Sequence, residues 1–146
     1  MKILIFDDNR QDREHLTNCL NSFFENKDIS YQITTCQNKD ELLHDINHND
    51  FLFLDIELGQ ENGIDLGLQL QTIQHHCHII ITTNYSKYTI DGYKIQAERY
   101  FIKPIHQQEF DLEMNGVIKI KGIKNKTKIS KDFVLLYFGD KKEFVR

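Results

Sequence analysis

Five polar residues stand at or just beyond the ends of short apolar runs, and their types are those of a reaction centre. Asp7 and Asp8 come after residues 3–6, Asp55 after the Phe-Leu-Phe-Leu of residues 51–54, Thr83 after residues 79–82, and Lys103 after residues 99–102. Carboxylates brought close together raise one another's pKa unless a cation neutralises them, and hard oxygen ligands with room for water favour Mg²⁺. A lysine opposite adds a fixed positive charge, and the Thr83 hydroxyl adds a donor. Together these are the parts for phosphoryl transfer to an aspartate, where positioning and charge neutralisation do most of the catalysis. Asp55 is the expected nucleophile, with residues 57–62 as the loop enclosing the metal.

This chemistry requires elements that bring the residues together. The apolar runs at residues 3–6, 31–35, 51–54, 79–82 and 99–102 read as five strands, separated by longer amphipathic stretches. That alternation is the pattern of a parallel sheet covered by helices on both faces. Leu16, Cys19, Leu20, Phe23 and Phe24 form one helical stripe. Asn38 with Glu41 resembles a capping box, opening a helix that buries Leu42, Leu43 and Ile46. Leu66, Leu70 and Ile73 mark a third helix after Gly63, residues 86–95 a fourth and residues 105–115 a fifth. Five β-α units imply a flavodoxin-like doubly wound α/β fold with strand order 2-1-3-4-5. In such folds reactive groups gather beyond the carboxyl ends of the strands at the topological switch point. Strands one and three are then neighbours, so Asp7, Asp8 and Asp55 should converge.

Composition narrows the class. With 146 residues and 40% hydrophobic content the chain suits one domain plus a short module, and it has enough apolar mass to exclude wholesale disorder. No apolar run approaches the roughly 20 residues of a bilayer-spanning helix, and Lys2 precedes only four apolar residues before two aspartates. A cytoplasmic protein without membrane association is expected. Cys19, Cys36 and Cys77 suit buried, reduced thiols. Residues 1–104 carry 9 basic and 16 acidic groups, whereas residues 105–146 carry 9 basic and 6 acidic. The reversal suggests a boundary, and it is sharpest in residues 116–131, which hold six lysines and no acid.

Four segments in order carry a resemblance: Ile-Phe-Asp-Asp (5–8), Leu-Asp-Ile-Glu-Leu (54–58) with Gly63 beyond it, Ile-Thr-Thr-Asn (81–84) and Tyr-Phe-Ile-Lys-Pro-Ile (100–105). Over residues 1–115 the chain resembles the receiver domain of bacterial two-component response regulators. The resemblance implies that Asp55 accepts a phosphoryl group from a sensor histidine kinase. It implies Mg²⁺ held by Asp8, Asp55 and the Glu57 main-chain carbonyl, with Asp7 acting through water. Thr83 and Lys103 would contact the phosphoryl oxygens, Tyr100 would rotate inward as the switch aromatic, and the bond before Pro104 would be cis. Such a protein is no enzyme beyond Mg²⁺-assisted self-phosphorylation and autodephosphorylation. Its phosphorylated form is expected to change the face around residues 85–95 and Tyr100, which would mediate dimerisation or docking. Two departures stand out: Gly59 replaces the usual proline, and Asn84 replaces the usual small residue after the threonine.

The Ile-Glu-Leu after Asp55 and the Asn-Tyr-Ser-Lys-Tyr at 84–88 look more like receivers joined to LytTR-type DNA-binding domains than like chemotaxis receivers. Residues 117–120, 128–129 and 133–138 read as short strands. Residues 134–142 are similar to an early strand and turn of that β-rich domain. Residues 116–146 are accordingly read as a basic β-rich extension, the start of a truncated LytTR domain, with DNA reached only through a full-length output domain. Rival classes fare worse. A dehalogenase-type phosphatase wants Asp-x-Asp where Asp7-Asp8-Asn9 stands, and a nucleotide binder wants a Gly-rich loop where acid stands. The alternative kept is a receiver-like interaction module that works without phosphorylation. Adjacent His75, His76, Cys77 and His78 point in different directions and should not close a metal site.

Overall fold

Residues 1–57, 63–73, 75–84 and 96–125 are described by the computed structural model. The apolar runs form strands β1 (Lys2–Phe6), β2 (Gln32–Thr35), β3 (Phe51–Asp55), β4 (His78–Thr83) and β5 (Arg99–Ile102). They make one parallel sheet in the order β2-β1-β3-β4-β5. Helices α1 (Arg10–Phe24), α2 (Lys39–Asp45), α3 (Gly63–Gln71) and α4 (Gln107–Asn125) accompany the strands, with a 3₁₀ turn at Ile46–His48. The helix expected over residues 86–95 and the strands expected at 128–129 and 133–138 lie outside the described residues. Among the described residues no helix is long and apolar enough to cross a membrane.

Burial follows the sequence pattern. Every residue of β3 is buried, as are four of the five in β1, because both are central strands covered on both faces. The polar β2 lies at one edge and stays mostly exposed. On one face Leu4, Phe6, Leu52, Leu54, Ile79 and Ile81 pack with Leu42, Ile46, Leu66 and Leu70 from the α2 and α3 side. On the other, the α1 stripe of Leu16, Cys19, Leu20, Phe23 and Phe24 is buried. There the Phe110 ring lies 6.0 Å from those of Phe23 and Phe53 and 5.3 Å from that of Phe101. Buried aromatics at these separations add attraction beyond their area. Cys19, Cys36 and Cys77 are buried thiols, and burial pushes Cys36 up to about 12, which keeps it protonated.

The chain divides into two compact units, Met1–Phe110 and Asp111–Arg146. Of the second, the described part is the continuation of α4 to Asn125, in which Met114, Val117 and Ile118 are buried and Leu112 is exposed. The strand expected at residues 117–120 is therefore corrected to helix. Phe110, Met114, Val117 and Ile118 fall at i, i+4, i+7 and i+8, so one helical stripe runs past the point where a β segment had been read.

One glycine sets how α3 meets the end of β3. A Cβ on Gly63 would lie 2.3 Å from Ile56 Cα and 2.5 Å from the Asp55 carbonyl oxygen, both backbone atoms. The Gly63 amide also donates to the Ile56 carbonyl at 3.2 Å. Only glycine lets α3 start this close to the end of β3. Gly63→Ala should destabilise the chain by about 1–3 kcal/mol through overpacking, read as a lower urea midpoint at unchanged slope; an unchanged midpoint would refute the close approach.

Candidate phosphoryl-acceptor site

Parallel register sets the geometry. Phe6 pairs with Leu54, Asp55 with Thr82, and Thr83 with Ile102, so the ends of β1, β3, β4 and β5 open on one side of the sheet. Asp7, Asp8, Asp55, Thr83 and Lys103 sit at or just past those ends. Asp7, Asp8 and Asp55 each offer a carboxylate oxygen, all within 4.8 Å of one another, with Asp7 and Asp55 buried and Asp8 exposed. Such hard oxygen donors, open on the Asp8 side, suit Mg²⁺.

Capping leaves two of these carboxylates available. Asn9, not either aspartate, is the N-cap of α1, its side chain accepting from the Asp12 amide at 2.9 Å. Asp7 Oδ1 accepts from the Asn9 amide at 2.8 Å, and Arg13 donates to the Asp7 carbonyl at 2.9 Å. Asp7 is thus held at both its main chain and its side chain.

Lys103 supplies the opposing charge. Its ammonium lies 2.9 Å from Asp7 Oδ2, 2.8 Å from Asp12 Oδ2 and 3.6 Å from Asp55 Oδ1, with only 8% of the side chain exposed. Burial works against the charged lysine, but the hydrogen bonds from Asp12 and Asp7 and the charge of Asp55 outweigh it, and its pKa moves up. The Lys103-Pro104 bond is cis. A cavity of about 230 Å³ lies beside the ammonium, lined by Asp7, Asp12, His15, Thr82, Lys103 and Ile105 among others.

Asp55 is in a different position. Burial raises its pKa, the Glu57 amide at 3.0 Å and Lys103 lower it, Asp7 and Asp8 raise it further, and the outcome is about 6. The Thr83 hydroxyl, buried at the end of β4, donates to Glu57 Oε1 at 3.1 Å. Asn84 donates to the same oxygen through its amide at 2.8 Å and its side chain at 3.3 Å. Tyr100 is half-buried against the α2 and α3 face of the core. The main chain ties two of these residues together, since the Lys103 amide donates to the Thr83 carbonyl at 2.6 Å.

Two contributors went unread in the sequence. Asp12 carries no sequence signal beyond its place in the first turn of α1, one turn past Asp8. For Glu57 the resemblance points only to the main-chain carbonyl, and no sequence signal marks its side chain. Among the described residues the three aspartates are the one carboxylate, histidine or cysteine group with metal-binding geometry. The histidine-rich segment makes pair contacts instead: His78 Nδ1 lies 2.8 Å from Glu98, and His75 Nδ1 accepts from the Cys77 amide. His15, His44, His48 and His106 are exposed.

A family model described as response regulator receiver domain matches residues 3–127. The transcriptional regulatory protein LytR of Staphylococcus aureus (strain N315) is 33% identical over 134 residues, covering 90% of this chain and 54% of that protein. The chain thus spans about half the length of the curated relatives it matches. The signal receiver domain of a DNA-binding response regulator (merR) from Colwellia psychrerythraea has a TM-score of 0.69 at 19% identity, over 82% of this chain and 98% of that one. A response regulator from Burkholderia pseudomallei, solved with a phosphorylated aspartic acid, a calcium ion and citrate, has a TM-score of 0.56 at 26% identity, over 74% and 62%.

Asp55 holds its proton more tightly folded than its ordinary value of 3.8, so its contribution favours folding at low pH and is lost as pH rises through about 6. In the metal-free protein at about pH 7.5, Asp55→Asn should therefore be the more stable form by about 1–3 kcal/mol, the gap closing near pH 4. Urea titrations across pH in EDTA measure this, and a destabilised Asp55→Asn at neutral pH would contradict the charge balance.

Proposed function

This chain belongs to the response regulator receiver domain family, and on that premise we propose that Asp55 accepts a phosphoryl group from a sensor histidine kinase. The observation carrying the proposal is the Lys103 ammonium beside Asp55, facing the Asp7, Asp8 and Asp55 oxygens across one hollow. An Asp55 oxygen attacks the phosphorus of a phosphohistidine, the P–N bond breaks with its electron pair staying on the imidazole, and an acyl phosphate forms. Lys103 meets the charge on the phosphoryl oxygens, and the Thr83 hydroxyl is the donor on the opposite strand end. When bound, Mg²⁺ would be held by Asp7, Asp8, Asp55 and the Glu57 carbonyl, and would supply neutralising charge for the incoming group. Attack of water on the acyl phosphate returns Asp55 and inorganic phosphate. The phosphorylated aspartic acid and calcium ion of the Burkholderia pseudomallei regulator support this assignment by analogy.

The role extends to an output. Relatives named as transcriptional regulators are about twice as long as this chain, which supports a LytTR-type DNA-binding domain as the output, with the receiver comprising residues 1–115 and residues 116–146 leading toward that domain. A two-state protein whose phosphorylated form pulls Thr83 and Lys103 together, with Tyr100 following, would present a new surface and dimerise through it. We assign a cytoplasmic location on the same basis as the transcriptional role. No observation favours an interaction module that works without phosphorylation.

Acetyl phosphate with Mg²⁺ should add about 80 Da to the intact mass, and both EDTA and Asp55→Asn should abolish the addition. Lys103→Met should slow it by at least about tenfold, the loss expected for one charged donor on a transferring phosphoryl group. An adduct surviving in Asp55→Asn would reject the acceptor assignment. Beryllofluoride should raise the sedimentation coefficient from that of a monomer toward that of a dimer; identical values with and without it would reject phosphorylation-driven dimerisation.

A further inference from the structure

The Glu57 carboxylate has a role that the phosphoryl-acceptor chemistry leaves unexplained. Three donors from the end of β4 converge on its single Oε1 atom: the Thr83 hydroxyl at 3.1 Å, the Asn84 main-chain amide at 2.8 Å and the Asn84 side-chain amide at 3.3 Å. Several donors aimed at one oxygen constitute an anion site, with the geometry used elsewhere to stabilise phosphoryl and carbonyl oxyanions. The occupant comes from the neighbouring strand. Glu57 lies two residues beyond the nucleophile and is tied to it, its amide donating to Asp55 Oδ1 at 3.0 Å. Asp55 itself pairs in register with Thr82, next to the Thr83 hydroxyl. Lys103 does not draw Glu57 away, because its ammonium is taken up by Asp7, Asp12 and Asp55.

We propose that the Glu57 side chain is a resting-state latch: its carboxylate fills the donor site formed by Thr83 and Asn84, and the phosphoryl group must displace it to engage the same donors. The proposal rests on the phosphoryl-acceptor assignment and deepens it. A carboxylate and a phosphoryl oxygen compete for one set of hydrogen bonds, and charge-assisted bonds of this kind are the strong ones. Capturing Thr83 therefore requires breaking its bond to Glu57. Asn84 belongs to the latch, which gives a purpose to a side chain larger than the small residue usual at that position. Glu57 is on this account a positioning residue that acts through Thr83 and Asn84.

The test is a time course of intact mass in acetyl phosphate and Mg²⁺ on the full chain, comparing wild type, Glu57→Ala, Thr83→Ala and the double variant. Freeing the donors should make Glu57→Ala react about fivefold faster than wild type, a change on the order of one hydrogen bond. In the Thr83→Ala background the Glu57 substitution should accelerate the reaction clearly less, by about twofold, because the latched hydroxyl is already gone and only the Asn84 donors remain to be freed. An acceleration of equal size in both backgrounds would mean that removing a negative charge near the site is the whole effect, and would overturn the latch; so would a Glu57→Ala rate no higher than wild type. Glu57→Gln keeps the shape and weakens the acceptor, and should accelerate the reaction in the same direction but less; it carries the comparison should Glu57→Ala melt early. No adduct on wild type overturns the acceptor assignment itself and the latch with it, whereas an adduct on wild type with no coupling between positions 57 and 83 overturns the latch alone.

Discussion

The constraint that orders this fold is electrostatic: one ammonium must hold several carboxylates that the sheet forces together. Asp7 and Asp55 are almost wholly removed from water, and Lys103, itself nearly buried, touches both. Taking charges out of water costs more than a mediocre pairing returns, so an arrangement of this kind persists only with close geometry and satisfied hydrogen bonds. Here the supporting bonds are visible. Asn9 caps α1, Arg13 fixes the Asp7 carbonyl, and Asp12 gives the ammonium a further partner at the rim. Even so, four acids face one base, and burial above all, with the charges of Asp7 and Asp8 added, raises the pKa of Asp55 against the pull of the Glu57 amide and Lys103. A cation or a phosphoryl group with its metal would complete the balance, and so a receptive site and a strained one are here the same thing.

The apolar part of the molecule exists to hold that imbalance still. Central strands buried on both faces leave little freedom at their ends, and the Phe23, Phe53, Phe101 and Phe110 rings lock α1 and the start of α4 over the β3 and β5 side of the sheet. Gly63 sets the other wall by letting α3 begin against the backbone of residues 55 and 56. Because the strands are parallel, their chemistry-bearing ends all fall on one edge, and residues distant in sequence meet without any long loop having to place them.

Much of this was legible beforehand, for a physical reason. Apolar runs of strand length bounded by acid, and a stripe such as Leu16, Cys19, Leu20, Phe23 and Phe24, are patterns that only burial explains, and each has the expected place in the fold. The Asn38 and Glu41 capping signal also holds in part: Asn38 accepts from the Glu41 amide, although the Glu41 carboxylate reaches the amide of Gln37 rather than that of the cap. What stayed hidden was side-chain choice among polar partners. Nothing in the sequence says that Asp12 turns toward a lysine 91 positions away, or that Glu57 turns toward Thr83 rather than toward water. The extent of α4 is ambiguous in the sequence because Val117, Ile118 and Ile120 read equally well as a short strand, and only the phase shared with Phe110 and Met114 decides for helix.

The bond from the Lys103 amide to the Thr83 carbonyl joins two candidate site residues through main-chain atoms alone. Side-chain replacement at either position leaves that bond intact, proline at 103 excepted. The two positions can therefore differ in what they present to a ligand while their backbones stay joined. The tie between the ends of the two strands is made by backbone and does not depend on which side chains the two positions carry.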